Sequence, residues 1–104
     1  MRRRSGGAAP SSVVYRIFET GPFKADLRKL DPSVRARLEL KLRNQLYAAL
    51  GQSPRFGPNI KRLSGYEPPT WRYRVGHWRL FYSIDDGEGV VFMLAAEPRD
   101  RAYR

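Results

Sequence analysis

Between Trp71 and Tyr82 apolar and basic positions alternate: Trp71, Tyr73 and Val75 are separated by Arg72 and Arg74. A strand has a side-chain period of two, so this pattern sends the aromatic and aliphatic set to one sheet face and both arginines to the other. Val75-Gly76-His77 reads as a turn, and a second strand begins at Trp78 and carries Arg79. The pattern changes in the N-terminal half. Phe23, Leu27 and Leu30 recur at spacings of four and three, the stripe of an amphipathic helix. Val34, Leu38, Leu42, Leu46 and Leu50 recur every fourth residue, which predicts a second helix over 32–50 facing the sheet.

The boundaries carry their own chemistry. Thr20 with Pro22, and Asp31 with Pro32, pair a capping side chain with a proline in the first turn, where its missing N–H costs little. Gly51 is the expected C-terminal stop of the second helix. Val13–Phe18 reads as a strand, with Val13, Tyr15 and Ile17 on one face. Gln52–Ile60 reads as loop, and so does the stretch from Lys61 up to the hairpin. Pro68-Pro69 holds the approach to Trp71 extended. After the Asp85–Gly89 turn, Val90–Ala96 is continuously apolar, as in a central strand. The order is β-α-α-β-β-β. It predicts an α+β fold: an antiparallel sheet with a helical hairpin on one face and the arginine-bearing face open. Leu27, Leu38, Leu42, Tyr73, Leu80 and Val91 are expected in the core, with Trp71, Tyr82 and Phe92 read as core rather than stacking residues and Trp78 left as a candidate for stacking on bases.

Composition narrows the chemistry. The 104 residues suit one small domain. Residues 1–12 have no apolar periodicity and are expected to be a disordered basic tail, with the domain over 13–104. With no cysteine, thiol nucleophiles and thiolate metal sites are excluded, and a reducing cytoplasm fits. One histidine cannot build a multi-histidine metal site, so neither metal nor cofactor is expected. No apolar run approaches the roughly 20 residues of a membrane helix. The net charge of +10 rests on sixteen arginines and four lysines, which points to a polyanion or an acidic protein as partner.

Three stretches carry a resemblance. They are Lys61-Arg62-Leu63-Ser64-Gly65, the run Trp71-Arg72-Tyr73-Arg74-Val75-Gly76-His77-Trp78-Arg79-Leu80-Phe81-Tyr82, and Arg99-Asp100-Arg101-Ala102-Tyr103-Arg104. In this order and spacing they resemble the RelE/ParE toxin superfamily, through its Lys-x-Leu-x-Gly, Trp-Arg-x-Arg-x-Gly-Asp-Tyr-Arg-x-x-Tyr and closing Arg-x-x-x-Tyr-Arg motifs. The resemblance implies the toxin of a type II toxin–antitoxin system, neutralised by a cognate antitoxin in a hetero-oligomer. RelE-like members enter the ribosomal A site and cut mRNA, arresting translation as metal-independent endoribonucleases (mRNA interferases). ParE-like members inhibit DNA gyrase. A degenerate, non-toxic member that still binds an antitoxin is a third alternative.

RNA cleavage without a metal needs a base for the 2′-hydroxyl, cations for the phosphate and an acid for the leaving oxygen. By motif position the resemblance assigns Arg79, Arg99 and Tyr103 to catalysis. Lys61, Arg62, Arg72 and Arg74 are assigned to RNA phosphates. The second-strand positions are lysines in the best-known RelE pattern and arginines here, and arginine is a poor proton acceptor. The base is therefore open among Glu97, His77, Asp100 and Tyr103, with Glu97 nearest the expected site. Each has a plainer reading: Glu97 as an ion-pair partner of Arg79 or Arg99, His77 as a solvated turn residue.

Overall fold

The computed structural model describes residues 14–98. The predicted tail, together with Arg99, Asp100 and Tyr103, lies outside the described residues, as does Val13. The chain runs β1 (Arg16–Glu19), α1 (Gly21–Arg28), α2 (Pro32–Lys41), a π-helical turn (Leu42–Leu46), α3 (Tyr47–Gln52), β2 (Ile60–Leu63), β3 (Thr70–Val75), β4 (Trp78–Asp85) and β5 (Val90–Pro98). The five strands form one sheet in the order β1-β5-β4-β3-β2. The α+β layout and the helical hairpin follow the sequence reading. Two features go beyond it. Lys61–Leu63, read as loop, is strand β2, and β1 pairs parallel to β5, so the sheet is mixed.

Both helical caps form as the sequence indicates. Phe23 N donates to Thr20 Oγ1 at 3.4 Å and Ser33 N to Asp31 Oδ2 at 3.1 Å. Thr20 also locks α1 to the sheet, since its hydroxyl donates to Met93 O at 2.7 Å. Asp26 Oδ2 accepts from Ala96 N at 2.9 Å and fixes the other end of α1 to β5.

The second helix explains its own π-helical turn. A spacing of four residues overshoots one α-helical turn by roughly 40°, so a leucine row kept every fourth residue winds off the buried face within a few repeats. A wider turn corrects the drift. Tyr47 N donates to Leu42 O, five residues back, at the middle of the row. Leu38, Leu42, Leu46 and Leu50 consequently all stay buried. They meet Phe23 and Leu27 of α1, and Val75, Leu80, Tyr82, Val91, Met93 and Ala96 of the sheet. Tyr73, Trp71 and Trp78 pack half-buried against this core. Gly51 is not a terminal stop: it lies within α3 and is buried. Tyr15 N donates to its carbonyl at 2.7 Å, and a Cβ there would stand 3.2 Å from Tyr15 O. Glycine suits this position because the backbone leading into β1 crosses α3 within hydrogen-bond distance.

Candidate functional site: the arginine face of the sheet

Ladder registers place the side chains of the uncovered face in three rows. Arg74, Arg79 and Glu97 form one, Lys61, Arg72, Phe81 and Ala95 the next, and the pair Leu63 and Thr70 with the run Ser83, Phe92 and Phe18 the third. The face thus grades from charged beside the β3–β4 turn, through basic and aromatic, to apolar at the far end. Directly opposed side chains on neighbouring strands lie about 5 Å apart, so each row is a contact line.

The first row depends on a β-bulge. Tyr82 pairs with Met93 and Phe81 with Ala95, leaving Leu94 as an extra residue. Strict alternation from Val91 and Met93 would point Glu97 toward the helices; one inserted residue reverses the parity. Ala96 then enters the core and Glu97 faces Arg79. Arg79 Nη2 donates to Glu97 Oε1 at 3.3 Å and to Pro98 O at 3.5 Å. Its guanidinium lies 5.9 Å from the Phe81 ring centroid. Glu97 therefore holds the ion-pair geometry of its plainer reading.

Arg72 lies between these charges. Burial, and then the charges of Arg74 and Arg79, hold its guanidinium below the usual arginine range. The Nε donors of Arg72 and Arg79 are both buried without an acceptor. An unmet buried donor costs about 1–3 kcal/mol, so this face carries an unfavourable term. Arg72 and Arg79 line an open groove of about 820 Å³ with Lys61, Arg62, Tyr66, Phe81 and Glu97. Arginine forks on a concave surface suit phosphate.

The expected site residues separate accordingly. Lys61, Arg72, Arg74, Arg79 and Glu97 share one face. Arg62 is paired with Trp71, at a position of the helix-covered face, and reaches the groove from the edge strand. His77 is in the β3–β4 turn and lines a cleft with Arg37 and Lys41 of α2, apart from the arginine groove. Phe92, expected in the core, is on the open face, with its ring edge-on to Phe18 at 5.7 Å. Tyr82 is fully buried, and its hydroxyl donates to Pro54 O at 2.7 Å. Among the described residues no cluster of three or more metal-ligating side chains occurs, and no helix is long and apolar enough to cross a membrane.

Sequence reasoning missed Tyr66, Phe81 and a cluster on the other side of the sheet. There Arg55 grips Asp86 through both guanidinium nitrogens, at 3.0 and 2.7 Å, and Tyr15 donates to the same carboxylate at 2.6 Å. These bonds, that of Arg55 first, hold Asp86 below the usual carboxylate range. Arg55 also lies 6.0 Å from the ring of Trp71, which packs half-buried against the core. Phe81 was signalled by its alternation with Arg79; Tyr66, in a turn-rich stretch, had no such signal.

The fold and these motifs can be set beside known proteins. The model of the ParE toxin of the type II toxin–antitoxin system parDE matches residues 13–103. No curated protein matches the chain. Among solved structures, a chain of the toxin–antitoxin complex RelBE2 from Mycobacterium tuberculosis is 28% identical, with a TM-score of 0.66 over 86% of this chain and 97% of that one. The isolated RelE toxin of E. coli is 28% identical, with a TM-score of 0.59 over 84% of this chain and 86% of its own. A chain of the archaeal RelE–RelB complex from Pyrococcus horikoshii shares the fold, with a TM-score of 0.57 at 24% identity over 86% of this chain and 99% of that one. With the family model spanning nearly the whole chain, this protein belongs to the ParE toxin family of type II toxin–antitoxin systems, within the RelE/ParE superfamily.

Proposed function

We propose that this toxin is a ribosome-dependent mRNA endonuclease that acts in the cytoplasm and is held in check by a cognate antitoxin. The observation that carries the reading is the convergence of Arg72, Arg74 and Arg79 on one sheet face that no described helix covers, with Arg72 and Arg79 lining an open groove there. Charge of this kind binds a phosphate backbone and serves a transition state in which negative charge accumulates on phosphate. In this reading Arg79 and Arg99 stabilise the scissile phosphate, and Tyr103 orients the attacking 2′-hydroxyl or stacks on a base. Arg72, Arg74, Lys61 and Arg62 hold flanking phosphates. A base takes the 2′-hydroxyl proton, the 2′-oxygen bonds to the adjacent phosphorus, the bond from phosphorus to the 5′-oxygen breaks as an acid supplies that oxygen with a proton, and a cyclic phosphate remains. The antitoxin rests on likeness: the similar chain from M. tuberculosis comes from a toxin–antitoxin complex. Binding of an acidic antitoxin segment across the arginine face should weaken as salt rises.

The test is a reconstituted translation reaction on end-labelled mRNA. Cleavage that requires ribosomes, and falls about 10²–10³-fold in Arg79→Ala, supports the reading. A second reading is favoured by one feature: Arg72 and Arg74 stand where a proton acceptor is wanted, and Glu97 is engaged by Arg79. It makes the chain a protein-binding toxin of gyrase. Supercoiling inhibition without mRNA cleavage selects it; antitoxin binding with neither activity identifies a non-toxic member.

A further inference from the structure

Tyr66 is a groove residue that neither the core nor the phosphate contacts explain. It follows Gly65, whose φ of +79° turns the chain out of β2, and it stands in the loop that leads to β3. Tyr66 keeps 56% of its surface exposed. The large apolar side chains exposed among the described residues are Val14, Phe18, Leu40, Phe56 and Tyr66, and of these Tyr66 lines the arginine groove. The other aromatic ring of the groove, Phe81, is already covered by the Arg79 guanidinium. Leu63, Leu94 and Ala95 add an apolar floor beside the cations.

An open aromatic ring, an apolar floor and a row of guanidinium groups form the two-part surface that takes a nucleotide of a single strand. Phosphate goes to the cations and the base to the ring. A folded peptide offers no such regular pairing of charge and flat apolar surface. We propose that Tyr66 is the nucleobase-stacking residue of this face, holding an unpaired base while Arg72 and Arg79 hold the adjoining phosphates. The inference rests on the RNA reading of the same groove and names the residue that positions the strand on it. Stacking on one ring tolerates every base, so Tyr66 contributes affinity and placement rather than a sequence code.

The experiment is equilibrium binding of the purified toxin to a single-stranded hexaribonucleotide carrying one 2-aminopurine, as a function of salt. Wild type and Tyr66→Phe should bind alike and quench the 2-aminopurine. Tyr66→Ala should bind about 5- to 150-fold more weakly and lose the quench, with an unchanged salt slope, because stacking releases no counterion. Arg72→Ala should instead lower the salt slope. Tyr66→Ala binding and quenching like wild type overturns the inference while leaving the RNA reading intact. Binding with a Tyr66-dependent quench, but no ribosome-dependent cleavage, upholds the inference and removes the nuclease. A wild type that binds no single-stranded RNA overturns the inference, and the nuclease reading then stands or falls on the ribosome-dependent cleavage assay.

Discussion

Arg74 and Arg79 stand directly opposite each other across the β3–β4 ladder, two like charges at one register position. Such a pair works against the fold by a few tenths of a kcal/mol, ~0.5 when the side chains are partly solvated. Glu97 relieves Arg79 alone. The arrangement is poor for stability and good for binding an anion. Arg74→Thr is therefore expected to raise the melting temperature by about 2–4 °C while lowering the salt slope of RNA binding by roughly 0.7, one phosphate contact. Thermal melts and a salt titration check both halves, and a variant that melts lower than wild type refutes the first.

The Arg79–Glu97 pair leads to a different expectation. Its side chains are 35% and 52% exposed, so its contribution to stability is less than about 1 kcal/mol. Its effect should be on function, with Glu97 competing with phosphate for Arg79. Glu97→Gln should keep the wild-type melting temperature, bind RNA several-fold tighter and still cleave. Loss of more than about 100-fold in cleavage with RNA binding retained would instead make Glu97 the general base.

The same substitution meets different obstacles at two glycines. At Gly51 a new methyl would meet Tyr15 O at 3.2 Å, and the neighbour is backbone held by the Tyr15 N–Gly51 O hydrogen bond, so the segment leading into β1 must shift by a few tenths of an ångström. Gly51→Ala should lower stability by about 1 kcal/mol. At Gly21, the first residue of α1, nothing lies within 4 Å of the added carbon, but Pro22 follows and disfavours a helical backbone in a residue with a Cβ. Gly21→Ala should therefore gain nothing from helix propensity, and a denaturant midpoint clearly above wild type would refute this.

Much of this fold is legible in the chain, and the gaps have physical causes. Both helices, the β3–β4 hairpin and β5 announce themselves by period and caps. Strand β2 does not: two of its four residues are Lys61 and Arg62, as befits an edge strand that resists pairing with strangers. The partner and direction of β1 depend on tertiary packing, which no local pattern encodes. The π-helical turn was latent in the four-residue leucine spacing, which is incompatible with a straight α-helix. The bulge at Leu94 was not, because Leu94-Ala95-Ala96 suits either face equally. That one residue decides whether Glu97 joins the arginines. Strand alternation made the face readable through Arg72, Arg74 and Arg79, and proximity to the closing motif brought in Glu97 as a partner of Arg79, though not by the bulge that turns it there; Tyr66, in a loop, gave no signal.

Tyr47, half-buried, and Tyr82, fully buried, should set the alkaline limit of the fold. Burial, reinforced by the hydrogen bond to Glu19, pushes the Tyr47 hydroxyl well above the usual value of 10.0. Burial alone does most of the same to Tyr82. A raised value in the folded state means that the unfolded chain loses its proton first. The stability each tyrosine contributes is whole below pH 10 and is lost as pH rises through the folded value. Folded values this high lie beyond the working range, so the two groups should ionise only as the protein unfolds. The protein has six tyrosines, and their phenolate absorbance should rise in two phases. The later phase should coincide with the loss of far-ultraviolet circular dichroism. Tyr82→Phe should remove one phenolate from that phase, at a cost of about 1–3 kcal/mol at neutral pH because Pro54 O loses its buried donor. All six ionising together before the circular dichroism changes would show that neither hydroxyl is held by the core.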